Sequence, residues 1–278
     1  MNRYKYKIFI VSHGRPDRVY TYATLLEYGI DRNNIAIVID DSDSDLNIKD
    51  YKSKFAEVYV MKNNKINLDS MDNIGDKNSV VYKRKFCYEL AEKLGYRYFL
   101  VLDDDYTKFY SMFKKGEFVS FGSGYKSKNK LNDIICYYFS LLDLNENIKA
   151  IAMGQSGDFY CKSFPLFPRK VMNSWFCDTQ KKIEFKGRFN DDVNTYLINN
   201  KIGNVCISSM FFALKQKDTQ KNKGGMTEAY LNYGTYVKSF YSVICSPSSI
   251  VVEFNKAVGR RHHKINHKFN DVKIVNAD

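Results

Sequence analysis

The chain has 278 residues, 44% hydrophobic and 15% aromatic, enough to bury a substantial core as one large domain or two merged ones. Its 43 basic against 31 acidic residues leave a formal net charge of +12; this favours a polyanionic partner, nucleic acid or an anionic small molecule, unless a Lys- and Asn-rich composition serves solubility alone. No apolar run reaches the roughly 18 residues of a membrane span, and the opening MNRYKYKIFIVSHGRP lacks the apolar core and small-residue cleavage site of a signal peptide.

In chain order, Tyr6 to Val11 reads as a first strand and Ser12-His13-Gly14-Arg15-Pro16 as a loop. A helix follows from Pro16 to about Tyr28, with Gly29 as its C-terminal cap. A strand, a short Ser/Gly loop and a helix start make either an ordinary turn or an anion cradle, to which Arg15 adds a fork suited to phosphate. Ile35 to Ile39 is a second buried strand, ending in Asp40, Asp41, Asp43 and Asp45. An acid at that place can hydrogen-bond a ribose or a base. Glu57 to Met61 is a third strand, and Lys62 to Ser79 a long polar loop. Tyr82, Phe86, Leu90 and Leu94 then recur at helical spacing, giving a helix over Val80 to Leu94 whose Lys83, Arg84, Lys85, Glu89, Glu92 and Lys93 read mostly as a solvated face.

That helix delivers the chain into Tyr98 to Leu102, an uncharged strand-length run that stops at Asp103-Asp104-Asp105. Three adjacent carboxylates repel one another and are tolerated in water or on a hard cation. They form either a solvated acidic turn or a ligand site at the carboxyl edge of a sheet. The pattern to this point argues α/β with a mostly parallel sheet flanked by helices.

Beyond the triplet, Lys114 to Lys130 is a loop, Leu131 to Leu144 a helix, Ile148 to Met153 a strand, and Trp175 to Asp178 a further strand near a pocket rim. Asp191 and Asp192 open a helix to about Asn199; they serve as helix-start acids or place a general base in a cleft. Val205 to Leu214 is strand-like. Lys215 to Gly225 reads as a mobile lid or a surface loop. A helix to about Ile244 and a strand over Ile250 to Phe254 precede GRRHHKINH, which is either a basic tail or a set of metal- and phosphate-binding side chains. The six cysteines, Cys87, Cys136, Cys161, Cys177, Cys206 and Cys245, are widely spaced. They read as buried free thiols in a reducing cytosol, which makes a cytoplasmic location the expectation.

Four segments in this order, SHGRPDRVYTYATLLEYGI, VYKRKFCYELAEKLGYRYFLVLDDDYTKF, FNDDVNTYLINNKIG and GRRHHKINHKF, resemble the GT-A glycosyltransferases. Within them they resemble a phage and bacterial branch associated with TET/JBP-type hydroxylases. The resemblance implies a Rossmann-like nucleotide-sugar half (residues 1–110) merged with an acceptor half (residues 111–278) that ends in a metal- and phosphate-binding segment. It implies transfer from a nucleotide-sugar, UDP-glucose or similar, to a hydroxymethylated pyrimidine of DNA, with Mn2+ or Mg2+ as cofactor. By position, Ser12, Gly14, Arg15, Asp40, Arg84, Asp103 and Asp104 would line the donor site. Asp105 and Asp103 would hold the metal, with His263 or else His262 as the late ligand. Asp191-Asp192 stands where the branch has Glu-Asp, with Asp192 the preferred base; one base facing away from the leaving group implies inversion. Tyr160 or Trp175 would stack on an extruded acceptor base. Two other functions remain open on the same residues. One is a GT-A enzyme acting on a glycan, protein or small molecule. The other is a non-catalytic nucleic-acid-binding protein that keeps only the fold.

Overall fold

Strand β1 (Tyr6–Val11) has all six residues buried, which requires that both faces of its sheet be covered. They are covered by different helices. Ile8 and Ile10 join a core with Leu25 and Tyr138, whereas Phe9 and Val11 join a second core with Val81 and Leu197. The computed structural model describes residues 4–73, 75, 77, 79–114, 117–118, 125–126, 128–155, 166–217, 226–256 and 259–267. Tyr160, Cys161 and residues 218–225 of the expected lid fall outside them.

After β1 come α1 (Tyr20–Glu27), β2 (Ile35–Asp40), α2 (Asp45–Lys54), β3 (Val58–Met61), α3 (Val80–Lys93) and β4 (Tyr98–Asp103). The chain continues through β5 (Tyr106–Ser111), β6 (Phe113–Lys114), β7 (Glu117–Phe118), β8 (Tyr125–Lys126), α4 (Leu131–Leu142) and β9 (Ile148–Gly154). It closes with β10 (Leu166–Pro168), β11 (Ser174–Asp178), α5 (Asp191–Lys201), β12 (Val205–Gln216), α6 (Met226–Cys245), β13 (Ile250–Asn255) and β14 (Arg260–Ile265). One sheet runs β3-β2-β1-β4-β11-β9-β12-β5-β8. Strands β3, β2, β1 and β4 are mutually parallel; β11 then enters antiparallel between β4 and β9, and β9 pairs parallel with β12. The register Val11↔Asp103 sets the end of β1 beside the acidic triplet, where the chain turns from β4 into β5.

Four details differ from the sequence reading. Helix α2 was not expected, because DLNIKDYKSK is polar and buries only Tyr51; Ser44 caps it, its Oγ accepting from Asn47 N at 3.2 Å. On α3, Lys83 and Arg84 are buried rather than solvated. Trp175 lies inside the sheet at 1% exposure, so it offers no open face to a stacked base. The GRRHHK segment is strand β14, paired antiparallel with β13, and not a free tail. Among the described residues no helix is long and apolar enough to cross a membrane.

Candidate active site at the carboxyl ends of β1 and β4

The middle acid of the triplet is locked. Arg15 donates from Nε and Nη2 to the two oxygens of Asp104, each at 2.7 Å, a fork-to-carboxylate pairing of the strong kind. Ser12 Oγ donates to the same carboxylate at 2.5 Å and lies 2.7 Å from the Tyr51 hydroxyl. The loop after β1 is thereby tied to α2 and to the β4 end. Gly14 sits at φ +68°, and its N–H donates to Asp43 Oδ1 at 2.7 Å.

Asp40 at the end of β2 is fully buried. Lys83 of α3 reaches its Oδ2 in a close ion pair, and Ser42 donates to Oδ1 through its N–H at 3.0 Å and through its hydroxyl. His13 Nδ1 lies 3.5 Å from Asp40 and 3.4 Å from Asp43. Those two carboxylates outweigh burial and the Lys83 charge and push the imidazole up to about 9. His13 is therefore a cation at neutral pH, and it lines a cleft of about 450 Å³ with Gly14, Arg15, Arg18, Ser44 and Asn47.

Arg84 joins the two halves of the site. Its Nη1 donates to Asp191 Oδ2 in a close ion pair, and its Nη2 donates to Asp103 Oδ1 at 3.1 Å. The guanidinium also lies 5.2 Å above the Trp175 ring, a cation–π contact. Burial raises the carboxyls of both Asp103 and Asp191 above the usual range, against the pull of Arg84. One strand-end acid and one helix-start acid thus share a single buried cation.

Asp105, the last acid of the triplet, is buried. Its Oδ2 accepts from Gln216 at 3.0 Å, while its buried Oδ1 has no hydrogen-bond partner. Burial, then Asp103 and Asp104, push its carboxyl up to about 7. A buried carboxylate oxygen without a donor, beside two further acids, fits a divalent cation that takes oxygen ligands.

Asp192, one residue on from Asp191, pairs with a different cation. Lys170 meets its Oδ2 at 2.5 Å. Burial alone would raise Asp192, but Lys170, His263 and Arg84 together hold it below the usual carboxylate range. His263 is pushed down to about 4, by burial first and Lys170 second, and its buried Nδ1 has no hydrogen-bond partner. His262 is lowered as well, by burial, Lys238, Lys170 and Arg260. Neutral imidazoles of this kind suit metal ligation. Among the described residues, however, no three His, Cys, Asp or Glu side chains are gathered as a metal cage. Asp103, Asp105, His262 and His263 are thus not assembled into one cluster.

The start of α5 is pinned from three directions. Asn190 caps it in a left-handed conformation at φ +52°, and its Nδ2 donates to the Lys238 carbonyl at 2.6 Å and to Ser242 Oγ at 3.1 Å. Arg188 Nε donates to Asp72 at 3.0 Å, Ser79 Oγ donates to the Arg188 carbonyl at 2.7 Å, and Gly187 N donates to the Asp69 carbonyl at 2.8 Å. The long loop before α3 is in this way a strap that holds the Asp191-Asp192 turn.

A model of the TET-associated glycosyltransferases matches residues 6–225. The chain belongs to the TET-associated glycosyltransferase family. Helix α6 and the β13–β14 hairpin lie beyond the matched span of this TET-associated glycosyltransferase. No curated protein matches it in sequence. Similar solved structures are a mannosyltransferase from Pyrobaculum calidifontis with GDP-Man and Mn2+ (9% identity, TM-score 0.46, 79% of this chain and 59% of that one). Another is glucosyl-3-phosphoglycerate synthase from Mycobacterium tuberculosis with Mg2+ and UDP (7% identity, TM-score 0.46, 95% and 88%). The chain spans 59% of the length of that mannosyltransferase. The fold of this TET-associated glycosyltransferase is α/β, a mostly parallel sheet with helices on both faces.

Of the expected site residues, the structure brings Ser12, Arg15 and Asp104 into one hydrogen-bonded group, and Arg84, Asp103 and Asp191 into another. Asp40 is enclosed by its partners, whereas Gly14 and Arg15 line the cleft together with His13. Sequence reasoning missed His13, Lys83, Lys170, Arg188 and Gln216. A signal for Lys83 existed: it stands four residues before Cys87 and seven before Leu90, on the stripe that α3 buries.

Proposed function

We propose that this TET-associated glycosyltransferase transfers a sugar from a nucleotide-sugar, UDP-glucose or similar, to the hydroxymethyl group of a modified pyrimidine in phage DNA, with inversion at the anomeric carbon. The observation that carries this reading is the Asp103–Arg84–Asp191 bridge. It sets the donor-side acids and the candidate base turn on one guanidinium, so the two substrates meet across it.

In this reading the nucleoside occupies the cleft beside His13, with Gly14 and the Ser12–Arg15 loop around it. Asp105 and Asp103 would hold a divalent cation; His263 and His262 stand with Lys170 and Asp192 instead and are not gathered with those two acids. When bound, that cation offsets charge growing on the leaving diphosphate. Arg84 orients the donor from the opposite side and shares that electrostatic task. Asp192, kept ionised by Lys170, accepts the proton of the acceptor hydroxyl. The hydroxyl oxygen bonds to the anomeric carbon as the bond from that carbon to the diphosphate oxygen breaks, and the nucleoside diphosphate departs. The net positive charge supplies affinity for a DNA backbone without reading sequence.

Calorimetric titration of UDP with and without Mn2+ tests the donor half of the proposal. Binding that needs Mn2+ and is abolished by Asp105→Ala supports it. Binding of equal strength with and without Mn2+ refutes the assignment of Asp105.

A further inference from the structure

Helix α6 turns an apolar stripe outward. Tyr236, Val237, Phe240 and Ile244 fall on one face at helical spacing and are all exposed, Tyr236 at 66% and Phe240 at 47%. The opposite face is spent on the fold. Ser239, Tyr241 and Ser242 are buried; Tyr241 donates to Asp72 of the strap at 2.8 Å, and Ser242 Oγ accepts from Asn190 at 3.1 Å. An outward stripe of large apolar side chains marks an interaction surface. Its two rings are also ordered. Tyr236 and Phe240 lie parallel, 5° between planes, with centroids 6.2 Å apart.

The β13–β14 hairpin, on which α6 packs, adds charge. Ser239, the neighbour of Phe240, donates to the Arg261 carbonyl at 2.7 Å. Arg261 is exposed and pairs across the hairpin with Phe254, another exposed ring. Residues 236–267 hold one acid, Glu253, against Lys238, Lys256, Arg260, Arg261 and Lys264, and Glu253 already pairs with Lys264 at 3.3 Å. Flat apolar faces beside a basic hairpin are the two ingredients of a single-strand nucleic-acid surface.

We propose that Tyr236 and Phe240 form a stacking platform for the bases of the single-stranded acceptor, with Arg261 of the adjoining hairpin on its phosphate backbone. The proposal rests on the reading of DNA as acceptor and deepens it. A second copy of this chain is the rival occupant, but it would bring an equally basic unit against this one, and like charges oppose that pairing. A polyanion carrying flat bases matches both the rings and the charge. The platform is also tied to the chemistry. The Lys238 carbonyl, between the two rings in sequence, accepts from Asn190 at 2.6 Å, one residue before Asp191. A strand seated on α6 is therefore held by the element that fixes the Asp191-Asp192 turn. Both α6 and the hairpin lie beyond residue 225, where the family match ends.

The test is fluorescence anisotropy with a labelled single-stranded DNA oligomer and with a matched oligomer of abasic units, which keeps the phosphates and lacks the bases. Wild-type protein is compared with Tyr236→Ser, Phe240→Ser and Arg261→Gln, and UDP titration with Mn2+ is run on each to certify the fold. Each ring substitution should weaken binding of the base-bearing oligomer by about 5- to 150-fold and leave the abasic one unchanged. Tyr236→Phe, which keeps the ring, should bind as the wild type does. Arg261→Gln should instead lower the slope of log affinity against log salt by about 0.7, the loss of one phosphate contact to a single strand. Equal losses on both oligomers, or no loss on either, overturn the platform and leave the DNA reading standing. Sedimentation velocity decides for the rival: a wild-type dimer that Tyr236→Ser dissolves, with DNA affinity unchanged, assigns the stripe to a second copy and overturns the proposal. Absence of DNA binding by the wild type overturns the acceptor reading and the platform together.

Discussion

Removing Arg84 should be among the most damaging single changes in the molecule. Its guanidinium side chain is 4% exposed and serves Asp191 and Asp103 at once. Arg84→Met keeps much of the volume and deletes the charge, leaving two largely buried carboxylates without their shared cation. Breaking a buried pair by removing one partner costs about 3–5 kcal/mol. Asp103 is a quarter exposed and water can serve it in part, which sets the expectation near the lower limit, about 3 kcal/mol. Urea unfolding followed by tryptophan fluorescence reads this well. The chain has a single tryptophan, and that residue lies directly under Arg84. Arg84→Lys is the control: it keeps the charge and loses the fork, so stability should fall by only about 1 kcal/mol. Transfer activity should fall in both variants, since one ammonium cannot hold two carboxylates in the same geometry. A loss below about 1 kcal/mol in Arg84→Met would refute the reasoning, because such a loss is that of an exposed pair.

Other perturbations probe separate parts of the site. His13 has a folded-state pKa raised from 6.5 to about 9 by Asp40 and Asp43; its contribution to stability is fully present below pH 6.5 and is lost as pH rises through about 9. Urea unfolding between pH 7 and 10 should show the wild type losing more stability than His13→Gln; parallel pH profiles would contradict this. Asp192→Asn should lower transfer by about 10²–10⁴-fold while leaving UDP affinity unchanged, and a variant that keeps its rate would transfer the base assignment to Asp191. Gly187 adopts φ +79°, and a Cβ there would lie 2.5 Å from Asn194 Nδ2 and 2.6 Å from Met71 Cε. Gly187→Ala should therefore destabilise by about 1–3 kcal/mol and loosen the strap on α5, read as a lower melting temperature together with slower transfer.

The parallel half of the sheet was legible because its strands advertise themselves. YKIFIV, IAIVI and YFLVL are apolar runs of strand length that can be buried only between two helical layers. The antiparallel insertion of β11 between β4 and β9 was not legible, because strand direction depends on how loops return and not on residue pattern. Helix α2 escaped for a local reason: one buried tyrosine and a serine cap carry it, with no apolar stripe. At the site, the acids stood out by type and order, whereas Arg84 was singled out by the family resemblance alone, its helix position reading as a solvated face. The other partners of the acids did not stand out: Lys83, Lys170 and Arg188 look like ordinary surface cations in a chain with 43 of them. Only the packing of α3, β10 and the strap decides which of those cations are enclosed with a carboxylate.

The central claim is transfer of a sugar to a hydroxymethylated base. It is tested most directly by mass spectrometry of two matched DNA oligomers, one carrying a hydroxymethylated pyrimidine and one unmodified. Each is incubated with the protein, Mn2+ and a panel of nucleotide-sugars headed by UDP-glucose. The expected result is the mass gain of one sugar on the modified oligomer alone, lost in Asp192→Asn. Metal-dependent nucleotide binding without any gain on the modified oligomer across the panel would contradict it.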